Sequence, residues 1–187
     1  MVGAVLTSFG AWQIIEGGWI HAKAALAGHL VSIAWSETLA SGQPARPWPW
    51  ADTWPVARLH FPSLKRHMPV LAGASGATLA FGPGHLDRTT APGTPGHSVI
   101  AGHRDTRFTL LGYLRPDDPV LVQSRDGFLR DYRVTGTAIA DARLPWHIPA
   151  LAKGKTSLTL VTRWPLDAIV PGGPLRYLAF AEQTPSR

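Results

Sequence analysis

The 187-residue sequence has no cysteine, which excludes disulfides and any cysteine-ligated metal. Charge is also scarce. Only 16 % of residues are Asp, Glu, Lys or Arg, against 45 % apolar, a balance that supports a buried core and excludes long disorder. No segment repeats internally. Although the net charge is +6 and the pI is near 10.3, no compact Lys/Arg block is present to track a phosphate backbone. The basic balance therefore points to anionic partners such as lipid head groups or cell-surface polymers, and away from nucleic acid. No small-residue cleavage site follows the N-terminal apolar stretch, and no Lys or Arg precedes it, so charge gives no membrane orientation.

The apolar stretch itself runs from Met1 to Ile15, relieved by Thr7, Ser8 and Gln13 and interrupted by Glu16. A second stretch, Gly17 to Trp35, is broken by His21, Lys23 and His29. A membrane span needs about 20 apolar residues. Met1 to Ile20 reaches that length with Glu16 near the interface and Trp12 and Trp19 as boundary residues. We expect an uncleaved membrane anchor here, the alternative being an amphipathic helix packed on the domain or the membrane surface. Ala24 to Leu39 continues with helical spacing at Leu26, Leu30, Ile33 and Ala34. The proline- and tryptophan-rich text from Ser41 to Trp50 then forbids helix and predicts an extended linker whose tryptophans dock on the domain C-terminal to it. The expected organisation is an anchor and helical segment over 1–40, a linker over 41–55 and a domain over 56–187.

Gly (19) and Pro (17) are plentiful and scattered, which suits short strands joined by turns. Strands are expected at Val56–Phe61, Pro69–Leu71, Ser98–Gly102, Val120–Ser124, Leu129–Val134, Ala138–Asp141, Ser157–Thr162 and Leu175–Ala181. Turn signals such as Gly82-Pro83-Gly84, Asp126-Gly127 and Gly172-Gly173-Pro174 separate them. Short helices fit Ala74–Ala80 and Phe108–Tyr113. The fold class this predicts is all-β, a closed barrel with few helices.

Three places carry residues capable of chemistry. Val99 to Thr106 is a β run ending in His103-Arg104-Asp105. Leu158 to Pro165 is a second run, holding Thr162 and Arg163. Pro171 to Tyr177 is a tight loop opening a last strand with Arg176. Each alone has an ordinary explanation as a surface or capping residue. A metal site from His85, His97 and His103 is a weaker alternative, because no carboxylate stands at ligand spacing with them.

Taken together, these segments resemble the sortase family, which keeps a His after a β strand, a Thr-Leu-x-Thr-Cys run on a later strand and an Arg on the next. Gly102-His103-Arg104-Asp105, Thr159-Leu160-Val161-Thr162 and Pro171 to Tyr177 match those three in order. The resemblance is closest to the class GN (Gram-negative) sortases. It extends upstream through Gln43-Pro44, Pro47 to Ala57, Leu71 to Gly76 and Gly82-Pro83-Gly84-His85. It implies a cysteine transpeptidase that cleaves an LPxTG-like sorting signal and passes it to an amine-bearing acceptor. It implies an inner-membrane location with the domain facing the periplasm, and no cofactor or metal. His103 would protonate the leaving amine and Arg176 would stabilise charge on the substrate carbonyl. Thr162 and Asp105 would contact substrate.

The departure falls on the nucleophile, for where the family has Cys this sequence has Arg163. A guanidinium with a pKa above about 12 cannot serve as a nucleophile. Thr162 cannot replace the thiol, since adjacent strand residues point to opposite faces. At about 5 Å, Arg163 and Arg176 would repel by roughly 3 kcal/mol at an effective dielectric of about 20. A carboxylate partner is therefore expected, with Asp105 and Asp167 as candidates, or else the side chains splay apart. A chain so altered is expected to be inactive, or to be a sortase-fold protein that binds sorting-signal peptides or other carboxylates without cleaving them.

Overall fold

The computed structural model describes residues 2–104, 108–144, 155–168 and 172–184, with side chains in the first helix described from Ala22 onward. That helix, α1, spans Val2–Ser41 without a break. Its last turns bury Val31, Ala34, Trp35 and Thr38, an i, i+3, i+4, i+7 stripe laid against the barrel. Leu26 and Ile33, expected on the apolar face, are 58 % and 41 % exposed instead. Contact with the barrel selects a different stripe of the same helix. The helix ends at Gly42, whose φ of 69° is the left-handed cap that glycine adopts without strain, its N–H bonded to the Thr38 carbonyl at 2.9 Å. Among the described residues no helix is long and apolar enough to cross a membrane, and the expected anchor falls largely on side chains outside that set.

The linker docks in part. Trp48 meets Phe81 edge-on at 5.0 Å between ring centroids, and the Thr53 hydroxyl donates to the Ala72 carbonyl at 2.7 Å. Trp50 faces solvent, 82 % exposed.

The barrel has eight strands: β1 (Pro55–Phe61), β2 (Arg66–Ala72), β3 (Gly84–His85), β4 (His97–Ala101), β5 (Pro119–Ser124), β6 (Leu129–Asp141), β7 (Ser157–Arg163) and β8 (Leu175–Gln183). They close in the order β1-β2-β3-β4-β7-β8-β6-β5, with β1 returning to β5. Closure removes sheet edges from an all-β chain. The β2·β3 and β4·β7 pairs are parallel and the others antiparallel. The short helices are α2 (Gly76–Leu79), capped by the Ser75 side chain, and a 3-10 helix over Phe108–Tyr113.

Two strand boundaries differ from expectation. Leu129–Val134 and Ala138–Asp141 are one strand, β6, with an irregularity between Val134 and Gly136. One strand thus absorbs the turn-like text at its middle as a bulge. The Gly82-Pro83-Gly84 turn signal also hides β3. Gly84 is a strand residue there because a Cβ would sit 2.1 Å from the Gly73 carbonyl oxygen, so only glycine permits that close approach.

Inside the ring, Leu59, Phe61, Val70, Ile100, Phe108, Val122, Tyr132, Leu158 and Leu160 form one core. A smaller cluster of Val99, Val161 and Leu178, backed by Ala101, Ala140 and Phe180, lies on the other face of β4, β7 and β8. Successive β7 residues therefore serve two sides: Leu158 and Leu160 inward, Val161 outward.

Candidate active site

Strands β4 and β7 run parallel from His97↔Ser157 to Ala101↔Val161, so both end at the same rim. β8 runs back from that rim, with Arg176 near its start. The topology thus delivers the segments carrying His103, Arg163 and Arg176 to one end of the barrel. Two hydrogen bonds fix the first: the Gly102 N–H donates to the Val161 carbonyl at 3.0 Å, and the Thr162 hydroxyl donates to the Gly102 carbonyl at 2.8 Å. Gly102 has no room for a side chain, since a Cβ would meet the Phe108 ring at 2.5 Å. His103 comes next, half-buried, its carbonyl accepting from the Phe108 N–H at 3.2 Å. Arg104 is 3 % exposed and donates to the Pro165 carbonyl at 2.7 Å, tying the His103 segment to the exit of β7.

Arg163 and Arg176 are direct cross-strand partners. The next pair along is hydrogen-bonded, the Trp164 N–H donating to the Leu175 carbonyl at 3.0 Å. Arg163 and Arg176 therefore form a non-hydrogen-bonded pair, the geometry in which opposed side chains come closest. Alternation from Val161 and Leu178 sets both arginines on the outer face, at the end of the smaller apolar cluster. The repulsion is relieved by splaying. Nη1 of Arg176 turns to the loop and donates to the carbonyls of Gly173 and Leu175, both at 2.9 Å. Burial, and then the neighbouring Arg163 charge, hold Arg176 below the usual guanidinium pKa.

Among the described residues, the carboxylate that opposes this is Asp141; of the two candidates from the sequence, Asp167 is exposed and Asp105 lies outside the described residues. Asp141 lies on β6, where it pairs with Leu175 and Ala140 with Arg176. Arg143 already holds Asp141, at 2.6 Å, and lowers its pKa to about 2. Pairing of β6 with β8 was the missing information, and no spacing in the sequence encodes it.

Thr162, expected to touch substrate, is 2 % exposed on the inner face and has its hydroxyl committed to Gly102. Its work is to lock β7 to the His103 segment. Asp105 lies outside the described residues. Two aromatic residues missed by sequence reasoning close the rim: Trp164 stacks on Tyr177 at 5.7 Å and 22°. Tyr177 is the partner of Thr162, so Trp164 reaches it on the diagonal, a contact visible only once the register is known. Two of the three histidines weighed for a metal are otherwise engaged. His85 bonds the Thr90 carbonyl and the Thr89 hydroxyl, and His97 bonds Ser157 and Thr159.

A family model for the sortase domain matches residues 59–184. No curated protein matches the chain. Among solved structures, sortase A from Corynebacterium diphtheriae is 26 % identical with a TM-score of 0.62, over 74 % of this chain and 64 % of that one. Sortase C-1 from Actinomyces oris is 30 % identical with a TM-score of 0.58, over 71 % of this chain and 76 % of that one. A sortase D5 transpeptidase from Clostridium perfringens, 18 % identical with a TM-score of 0.60 over 80 % and 88 %, shares the fold. The chain thus spans a little under two thirds of the length of the diphtherial sortase A.

Proposed function

The chain belongs to the sortase family, and from that premise we propose that it is a class GN sortase whose transpeptidase chemistry is silent because Arg163 occupies the nucleophile's position. The observation that carries this is the pairing of Arg163 with Arg176 at the outer rim, in a chain without a single cysteine.

In an active sortase a thiolate here attacks the carbonyl of an LPxTG-like signal, the C–N bond breaks, and a thioester forms. The departing amine takes its proton from the histidine, for which His103 is the counterpart, and the arginine, here Arg176, supports the charged oxygen. An acceptor amine then attacks the thioester and frees the thiol. Arg163 can enter none of these covalent steps. Everything else the chemistry needs is kept: the β7 strand, the Gly102 lock beside His103, and the loop leading to Arg176. The proposed setting is the inner membrane, with residues 1–20 as anchor and the barrel in the periplasm.

The test is Arg163→Cys. As it stands, the protein forms no covalent adduct with a sorting-signal peptide by intact mass and cleaves none. The Arg163→Cys protein forms the thioester and transfers it to an added amine. In that background, Arg176→Ala lowers the rate by about 10²–10³, the loss expected for removing one donor to a developing oxyanion. His103→Ala removes most turnover.

One observation favours a second reading. Two cations are paired across the strands with, among the described residues, one already-engaged carboxylate nearby, an arrangement that accepts an anion. On this reading the chain binds sorting-signal peptides or other carboxylates without cleaving them. If Arg163→Cys folds and binds peptide by titration yet forms no thioester, the binding reading replaces the first.

A further inference from the structure

The opposite wall of the barrel holds a second concentration of positive charge. Around the ring, β1 lies four places from β7 in either direction, so the β1–β2 face is as far from the rim arginines as the barrel allows. Helix α1 packs over this face and leaves a cavity of about 310 Å³ in the seam, lined by Gly28, His29 and Ser32 from the helix and by Arg58, His67 and Pro69 from the strands. A wider groove of about 820 Å³ adjoins it, sharing His67 and Phe81 and adding Arg66, Leu110 and Tyr113. Among the described residues, neither lining includes an Asp or a Glu.

Arg58 is the unusual member. Its Nε is buried with no hydrogen-bond partner, and no ion pair engages it among the described residues. His60, two residues along on the same face, also has a buried ring nitrogen, Nε2, without a partner, and its ring lies 5.9 Å from that of His67. Desolvating a guanidinium without a counter-charge is costly, and proteins keep such groups where an anion completes them. Burial lowers the pKa of Arg58, and no carboxylate acts to raise it. The cavity provides the missing volume, Arg58 the fixed charge, and His67 and His29 further donors around it.

We infer that the seam between α1 and β1–β2 is an anion-binding site, separate from the rim, that takes a phosphate group. The neighbouring groove tells what such a group would carry. Its apolar surface, with Phe81 39 % and Tyr113 69 % exposed, continues outward from the cationic seam. A phosphate diester with an apolar tail fits both parts, whereas free phosphate uses the seam alone.

The experiment uses the full chain in neutral-detergent micelles. Inorganic phosphate is titrated while the imidazole resonances of His29, His60 and His67 are followed by NMR. Saturable shifts at His67 are expected, with the phosphate dissociation constant raised at least ten-fold in Arg58→Gln and several-fold in His67→Gln. Arg115→Gln, which removes an exposed charge elsewhere, leaves it unchanged. Without ligand, Arg58→Gln melts at or above the parent temperature, since a partly buried cation without a counter-charge is gone. The second arm replaces micelles with phosphatidylcholine vesicles, with and without phosphatidylglycerol. If the natural source is a lipid head group, phosphatidylglycerol shifts His67 and blocks the effect of added phosphate, and Arg58→Gln abolishes both. If it is free phosphate, the lipid has no effect on the titration. The proposal is overturned if neither phosphate nor phosphatidylglycerol perturbs His67. Equal weakening by Arg115→Gln and Arg58→Gln also overturns it, because binding would then follow net charge.

Discussion

Arg163 is where one residue changes most. Opposed like charges in a non-hydrogen-bonded pair are destabilising by about 0.2–1 kcal/mol, the range for cross-strand pairs. Splaying of Arg176 onto the Gly173 and Leu175 carbonyls keeps the cost within that range. Arg163→Thr should therefore raise the melting temperature by a few degrees, and a calorimetric scan showing a fall would mean that Arg163 is held by a partner. That Arg163 cannot act as nucleophile was legible from the sequence, because it rests on the chemistry of guanidinium. The role of Thr162 was not. Its identity suits several tasks, and only the register shows that its hydroxyl turns inward to Gly102. Asp141 was hidden for the same reason, since its proximity to Arg176 is made by strand pairing 35 residues apart in number.

At the scale of elements, β4 and β7 form the hinge between core and rim. Their first pair joins His97 to Ser157, Nδ1 to Oγ at 2.7 Å, with Thr159 at 3.3 Å from Nε2. Burial lowers the His97 pKa from its ordinary 6.5, and burial with the charges of Arg58 and His67 lowers that of His60. Both histidines thus bind protons more weakly folded than unfolded. Stability is full above about pH 6.5, falls as pH drops through the unfolded value, and levels off below the folded one. Melting temperature should decline between about pH 7.5 and 5.5, and His97→Gln should flatten part of that decline; an equally steep profile in the variant would remove His97 from the account. Gly102→Ala, which drives a methyl into Phe108, should destabilise by about 1–3 kcal/mol and loosen the His103 segment. Most strands could be read from apolar runs between turn residues. Two features could not: β3, written in turn residues that only a close backbone approach explains, and the continuity of β6 through Gly136.

For the whole molecule, the sequence foretold a closed barrel because many short strands with few helices have little other way to bury both sheet faces. It could not foretell which side of α1 rests on the barrel, a matter of fit between surfaces and not of helical spacing. The basic balance of the chain now has two addresses, the rim pair and the α1 seam, on opposite walls. If residues 1–20 are an anchor, the full chain should stay with membranes through high salt and carbonate, while a truncation starting at Gly42 washes free. Equal release of the two would refute the anchor.

The order β4-β7-β8-β6 also dictates when the site can exist. Thr162 locks onto a carbonyl 60 residues earlier in the chain, so β7, whose local partner is β8, must also find β4 across the intervening β5 and β6. Until β8 emerges, β6 and β7 are both bare edges, open to pairing with other chains. β8 therefore does two things in one step: it seals the barrel and it brings Arg176 opposite Arg163. A chain that lacks β8 has most of its core but not Arg176 at its site, and the time spent in that state is a window for aggregation.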